Sequence, residues 1–119
     1  MKARRPTAPD AVLRMLGLAA RAGAALPGTD RVREAARSGD LEFTLVASDA
    51  SDNSRNKLLP LLEARRIPYA VAFDRGALGA AVGKPPVSAL GITDRKLGMR
   101  VKEMLLALET ETQPEAGSQ

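Results

Sequence analysis

The chain has no cysteine, no histidine and no tryptophan in its 119 residues. Without cysteine there are no disulfides, thiolate nucleophiles or thiolate metal centres. Without histidine there are no imidazole ligands and no histidine-based triads. The commonest acid–base side chain is therefore missing, which leaves catalysis to carboxylates and lysine. Aromatic residues are nearly as scarce, one Tyr and two Phe, too few for a platform on which successive bases of a single strand stack. No apolar run approaches the roughly 18 residues needed to span a bilayer, and the start MKARRPTAPD lacks the apolar segment of a secretory leader. GxGxxG, GxxxxGKS and GxxxxGKT are all absent, so neither a dinucleotide site nor a P-loop is supported. No stretch repeats itself. The expectation is a non-enzymatic, cytoplasmic chain with no cofactor, no metal, no small-molecule substrate and no membrane partner.

What is present is positive charge. Lys and Arg number 18 against 14 Asp and Glu, for a net charge of +4 and a pI near 10.0. Three of the acids, Glu109, Glu111 and Glu115, lie after Leu108, and without them the balance over residues 1–108 is +7. Such a surface attracts polyanions, of which nucleic acid is the commonest in a cell. With 45% hydrophobic residues, the chain is long enough for one domain around a single core.

Hydrophobic spacing predicts a helix over residues 10–22, where Val12, Leu13, Leu16, Ala19 and Ala20 share a face. A short extended piece, 24–26, follows. EFTLVAS (42–48) has the nearly continuous apolar run of a buried strand. DASDNS (49–54) supplies turn and cap residues; Asp49, Asp52 and Asn53 are metal-ligating types, but directly before a helix they read as caps. RNKLLPLLEARR (55–66) is helical with Pro60 inside it. An interior proline costs about 3 kcal/mol, so a break is expected, with Pro60 in the first turn of a second helical segment. Arg65 and Arg66 end that helix, where cations suit the dipole. IPYAVAF (67–73) is a strand, Asp74 caps a helix to Val82, GKPPV is a stiff loop and SALGI (88–92) is a strand. Asp94 caps a last helix over 95–108. The segment TETQPEAGSQ has no apolar periodicity and is expected to be disordered, while Lys2, Arg4 and Arg5 at the other end offer sequence-independent attraction to phosphate. Helices alternate with strands, which implies an α/β/α sandwich with helices on both sheet faces.

One stretch stands apart. In LPGTDRVREAARSG (26–39), Pro27 and Gly28 end the preceding strand and Thr29 and Asp30 are helix-capping types. Val32, Ala35 and Ala36 fall at helical spacing, and Ser38–Gly39 stops the run. A helix that opens directly after glycine points free backbone amides outward, a ready contact for anions. Positions 28, 31 and 34 lie on one face.

The order of these segments resembles the L-seven-Ae type of kink-turn-binding ribosomal protein, in its small bacterial branch, the YlxQ type. The resemblance runs through LGLAARAG (16–23), PGTDRVREAARSG (27–39), LVASDASDNSRNKL (45–58), LPLLEARRIPYAV (59–71), ALGAAVGKPP (77–86) and GITD (91–94). It implies a three-layer α/β/α sandwich around a four-stranded mixed sheet. It also implies two RNA-binding elements: the glycine-led start of the second helix, here Gly28, Thr29, Asp30, Arg31 and Glu34, and an apolar loop, here Val82, Gly83, Lys84, Pro85, Pro86, Val87 and Ser88. Strong kink-turn binders of this kind carry Asn, Glu and Lys where this chain has Asp30, Arg31 and Glu34. Asp30 lacks the amide donor, and the other two positions reverse sign. Arg31 and Arg37 are each three residues from Glu34 and within reach of its carboxylate.

The expected organisation is a basic extension (1–9), one RNA-binding domain (10–108) and a disordered acidic tail (109–119). The expected function is recognition of structured, kink-turn-like RNA, ribosomal RNA foremost, by a monomer. Two alternatives remain on the same fold: a protein-interaction adaptor that has lost RNA specificity, and an RNA-substrate domain working beside a modifying enzyme.

Overall fold

The computed structural model describes residues 8–112. The candidate phosphate contacts Lys2, Arg4 and Arg5 and most of the acidic tail lie outside the described residues. Five helices and four strands alternate: α1 (Ala8–Arg21), β1 (Ala25–Pro27), α2 (Thr29–Ser38), β2 (Phe43–Val46), α3 (Asp52–Ala64), β3 (Tyr69–Val71), α4 (Arg75–Ala81), β4 (Ala89–Ile92) and α5 (Arg95–Thr112).

The strands form one mixed sheet in the order β1-β4-β2-β3. β4 runs antiparallel to β1 and β2, with Leu90 opposite both Pro27 and Leu45, whereas β2 and β3 are parallel. A parallel pair needs a crossover, and α3 supplies it. All residues of β2 and β4 are buried, as the continuous apolar runs lead one to expect of strands covered on both faces. Helices α2 and α3 pack together over one face; α1, α4 and α5 cover the other. The core runs through both layers, from Val12, Leu16 and Val101 to Val32, Leu58 and Leu62. This is the expected three-layer α/β/α sandwich with a four-stranded mixed sheet. Among the described residues, no helix is long and apolar enough to cross a membrane.

Three boundaries differ from the sequence expectation for physical reasons. Strand β3 is shorter than the run 67–73: Pro68 has no amide for the ladder, and Phe73 turns out of it with φ 66°. Helix α5 continues to Thr112, past Leu108, so the first residues assigned to the tail are helical. The largest correction concerns Pro60. Helix α3 does not break there but runs unbroken from Asp52 to Ala64. Its Ser51 cap accepts the amide of Ser54 at 3.1 Å. Leu58 and Leu62, one turn apart, are fully buried, while Pro60 points to solvent. Burial on one face outweighs the hydrogen bond that Pro60 withholds from the carbonyl of Asn56, an exposed residue open to water.

Restoring that hydrogen bond should stabilise the helix. Pro60→Ala is expected to raise stability by about 1 to 2 kcal/mol, the interior-proline cost less the gain in unfolded-chain entropy. Urea unfolding of the two proteins checks this; an unchanged or lowered midpoint contradicts it.

Candidate functional site

The sheet has two ends, and the candidate residues gather at one. The amide of Gly28 donates to the carbonyl of Ala89 at 2.9 Å, and the amide of Ala47 donates to that of Ser88, also at 2.9 Å. Ser48 N–H in turn donates to Phe73 C=O at 2.7 Å. The opening of α2, the 82–88 loop, the β2–α3 loop and the start of α4 therefore share one end.

Gly28 is the N-cap of α2, with φ 112° and ψ 144°, a backbone conformation that L side chains rarely adopt. Its carbonyl receives the amide of Val32 at 3.1 Å. No side chain caps the helix, so the amides of Thr29, Asp30 and Arg31 have no intrahelical partner. Thr29 is half-buried; Asp30, Arg31 and Glu34 are exposed. The anticipated pairing of Glu34 with Arg31 or Arg37 is not made: the ion pairs among the described residues are Arg75–Asp49 and Arg100–Glu103.

The loop is held rigidly. The amide of Lys84 donates to Gly79 C=O at 2.8 Å and that of Val87 to Arg75 C=O at 3.2 Å. The loop backbone lies directly on Gly79, where a Cβ would overlap the carbonyl oxygen of Pro85. Gly83 to Pro86 are exposed, while Val82, Val87 and Ser88 are half-buried. Lys84 is thus presented on a stiff backbone next to the opening of α2.

Asp49 completes this end. Its Oδ1 accepts the amide of Arg75 at 2.8 Å, and its Oδ2 lies 3.5 Å from the Arg75 Nε. The Arg75 amide, with the guanidinium beside it, holds the Asp49 carboxyl below the usual carboxylate range. Asp49 is therefore a brace between β2 and α4. Asp52 lies in the first turn of α3, beside the Ser51 cap. Arg65 and Arg66 are at the opposite end of the sheet, where Thr44 N–H donates to Pro68 C=O, so they do not join Gly28.

Residues 10–97 match the model of the Ribosomal protein L7Ae/L30e/S12e/Gadd45 family. The chain belongs to that family. Two relatives are each called RNA-binding protein YlxQ. The one from Bacillus subtilis (strain 168) is 29% identical over 91 residues, covering 76% of this chain and 91% of the relative. The one from Enterococcus faecium is 27% identical over 93 residues, covering 78% and 89%. Among solved structures, a protein with unknown function from Bacillus halodurans superposes with a TM-score of 0.76 at 32% identity, covering 79% of this chain and 95% of that one. The Giardia lamblia 15.5kD RNA binding protein shares the fold, with a TM-score of 0.70 at 23% identity and 91% and 92% coverage.

Two parts of the candidate site escaped sequence reasoning: Gly79, which lies in an ordinary-looking small-residue helix, and the Asp49–Arg75 brace, whose partners are 26 residues apart. Each gives a prediction. Gly79→Ala must displace the loop, at a cost of about 1 to 3 kcal/mol, read as a lower denaturation midpoint together with faster exchange of the Lys84 amide. For Asp49, a folded pKa below the unfolded value near 3.9 means that its contribution is present above about pH 4 and is lost as pH falls through the folded value. Asp49→Asn should therefore melt below the parent protein at pH 7, and the gap should narrow as acid protonates the carboxylate. A gap that persists in acid contradicts the assignment.

Proposed function

We propose that this protein binds structured RNA with a kink-turn-like bend, ribosomal RNA foremost, and performs no chemistry on it. The observation that carries the reading is the hydrogen bond from Gly28 to Ala89, which fixes the opening of α2 beside the 82–88 loop. Free amides of Thr29, Asp30 and Arg31 then face phosphate oxygens. Arg31 is long enough to bond guanine O6 and N7, and Lys84 neutralises a neighbouring phosphate. Val82, Pro85, Pro86 and Val87 cover a base splayed from the stack. Family membership and the RNA-binding names of two relatives support the same reading.

Glu34 is the discordant residue: an exposed carboxylate, one turn from Arg31, with no ion pair among the described residues to neutralise it. Glu34→Lys should tighten binding to a kink-turn RNA by roughly 1 to 2 kcal/mol, one charge-assisted contact plus a relieved repulsion. The gain should be smaller on a straight duplex of equal length. Glu63→Lys, on α3, serves as the control for charge alone and should affect both RNAs equally. Mobility shifts of the parent and both variants on the two RNAs decide the matter. No RNA affinity at all supports the adaptor reading, and equal behaviour of the two variants removes α2 as the recognition surface.

A further inference from the structure

The end with Gly28 is not where the positive charge is concentrated. Arg31, Arg55, Arg75 and Lys84 there are accompanied by the acids Asp30, Glu34, Asp49, Asp52 and Asp74, and Arg75 pairs with Asp49. The opposite end holds a cleft of about 460 Å³, where α3 and α2 end and α5 begins. Four cations line it, Arg65, Arg66, Arg95 and Lys102, with Glu42 as the one acid in the lining. None of the four makes an ion pair among the described residues. Of the neighbouring acids, Asp40 is held by the Ser38 hydroxyl at 3.0 Å and Asp94 by the Leu97 amide at 2.9 Å.

Structural duty accounts for only one of these cations. Arg65 donates through Nη1 to the carbonyl of Arg37 at 3.1 Å, as suits a cation between two helix C-termini. Arg95 is the first residue of α5, the end of the dipole where a cation is disfavoured. Arg66 sits at φ 57° just beyond the end of α3, the place where helices favour glycine. A non-glycine residue pays for that conformation, and its side chain is exposed on the cleft wall. The floor between the cations is apolar, with Phe43 buried beneath, Ile67 and Pro68 on one side and Met99 on the other; Met99 is 54% exposed.

A cationic rim around apolar side chains, in a partly open cleft of small-molecule size, fits an anion that carries a planar apolar group. We propose that this cleft binds one or two nucleotides of a single-stranded RNA segment, giving the protein a second RNA contact at the far end of the sheet. Phosphate lies between Arg66 and Arg95, whose guanidinium forks match its oxygens. The base lies on Met99 and Ile67, and Glu42 accepts from an exocyclic amine. An acidic peptide offers no ring for the apolar lining. The inference rests on the RNA-binding reading above; with both contacts filled, the protein bridges two RNA segments.

The test uses the full chain and labelled hexa-adenylate, followed by fluorescence anisotropy with and without saturating kink-turn RNA. Hexa-adenylate should bind in both conditions. Arg66→Gly combined with Arg95→Ala should weaken it at least about tenfold, with kink-turn affinity unchanged. Arg66→Gly alone should weaken the hexamer while raising the melting temperature, because it removes the strained backbone; loss of binding cannot then be loss of fold. Glu34→Lys should change kink-turn affinity only. Displacement of the hexamer by kink-turn RNA, insensitivity to the two arginine variants, or equal binding of hexaglutamate would each overturn the inference while leaving the α2 contact standing. Hexamer binding that depends on Arg66 in a protein blind to the kink-turn would uphold the cleft and defeat the α2 reading.

Discussion

β4 is hydrogen-bonded on both sides, and each of its ends is clamped. At one end its flanking carbonyls receive the amides of Gly28 and Ala47; at the other, Ile92 C=O receives the amide of Glu42 at 2.8 Å, while Thr93 N–H donates to Ala24 C=O at 3.0 Å. These bonds fix where α2 starts relative to the 82–88 loop, and where α5 starts relative to the ends of α2 and α3. The strand is fully buried, so its amides and carbonyls have no access to water and the pairing is obligatory. The geometry of both candidate surfaces follows from this one four-residue segment.

The two ends differ in kind. At the Gly28 end, recognition rests on backbone: free amides at the opening of a helix and a loop seated on Gly79. Arginine and lysine there are matched by carboxylates, which suits discrimination of shape more than raw attraction. At the other end, four cations and a single carboxylate, Glu42, surround apolar side chains, and backbone carbonyls of two ending helices lie nearby. The net charge of the chain says that polyanions are attracted, but not where; only the fold separates the two surfaces.

Much of this was legible in the sequence because it is local. Pro27–Gly28, a pair of capping types, Val32, Ala35 and Ala36 at helical spacing and Gly39 define α2 without any tertiary information. Asp74 and Asp94 were readable as caps for the same reason, and each accepts the amide three residues on. Pro60 misleads because the cost of an interior proline is a local quantity, whereas the burial of Leu58 and Leu62 that offsets it is not. Gly79 carries no signal, since the residue that needs its missing side chain, Pro85, approaches only after the chain has turned. Arg65 and Arg66 were read as partners of a helix end, which holds for Arg65; their meeting with Arg95 and Lys102 joins stretches some thirty residues apart. The resemblance supplied the pairing of α2 with the 82–88 loop, which neither periodicity nor spacing reveals.

The outer strands are also informative. β1 and β3 are three residues each. Pro27 closes the first and Pro68 immediately precedes the second, and neither proline has an amide to offer a neighbour. A foreign strand arriving at either edge meets too short a row of donors and acceptors to hold. The sheet is thus closed to lateral growth, so templated aggregation and strand exchange are disfavoured even where Val71 leaves apolar surface at the rim. That leaves the helices and the two ends of the sandwich as the surfaces open to partners.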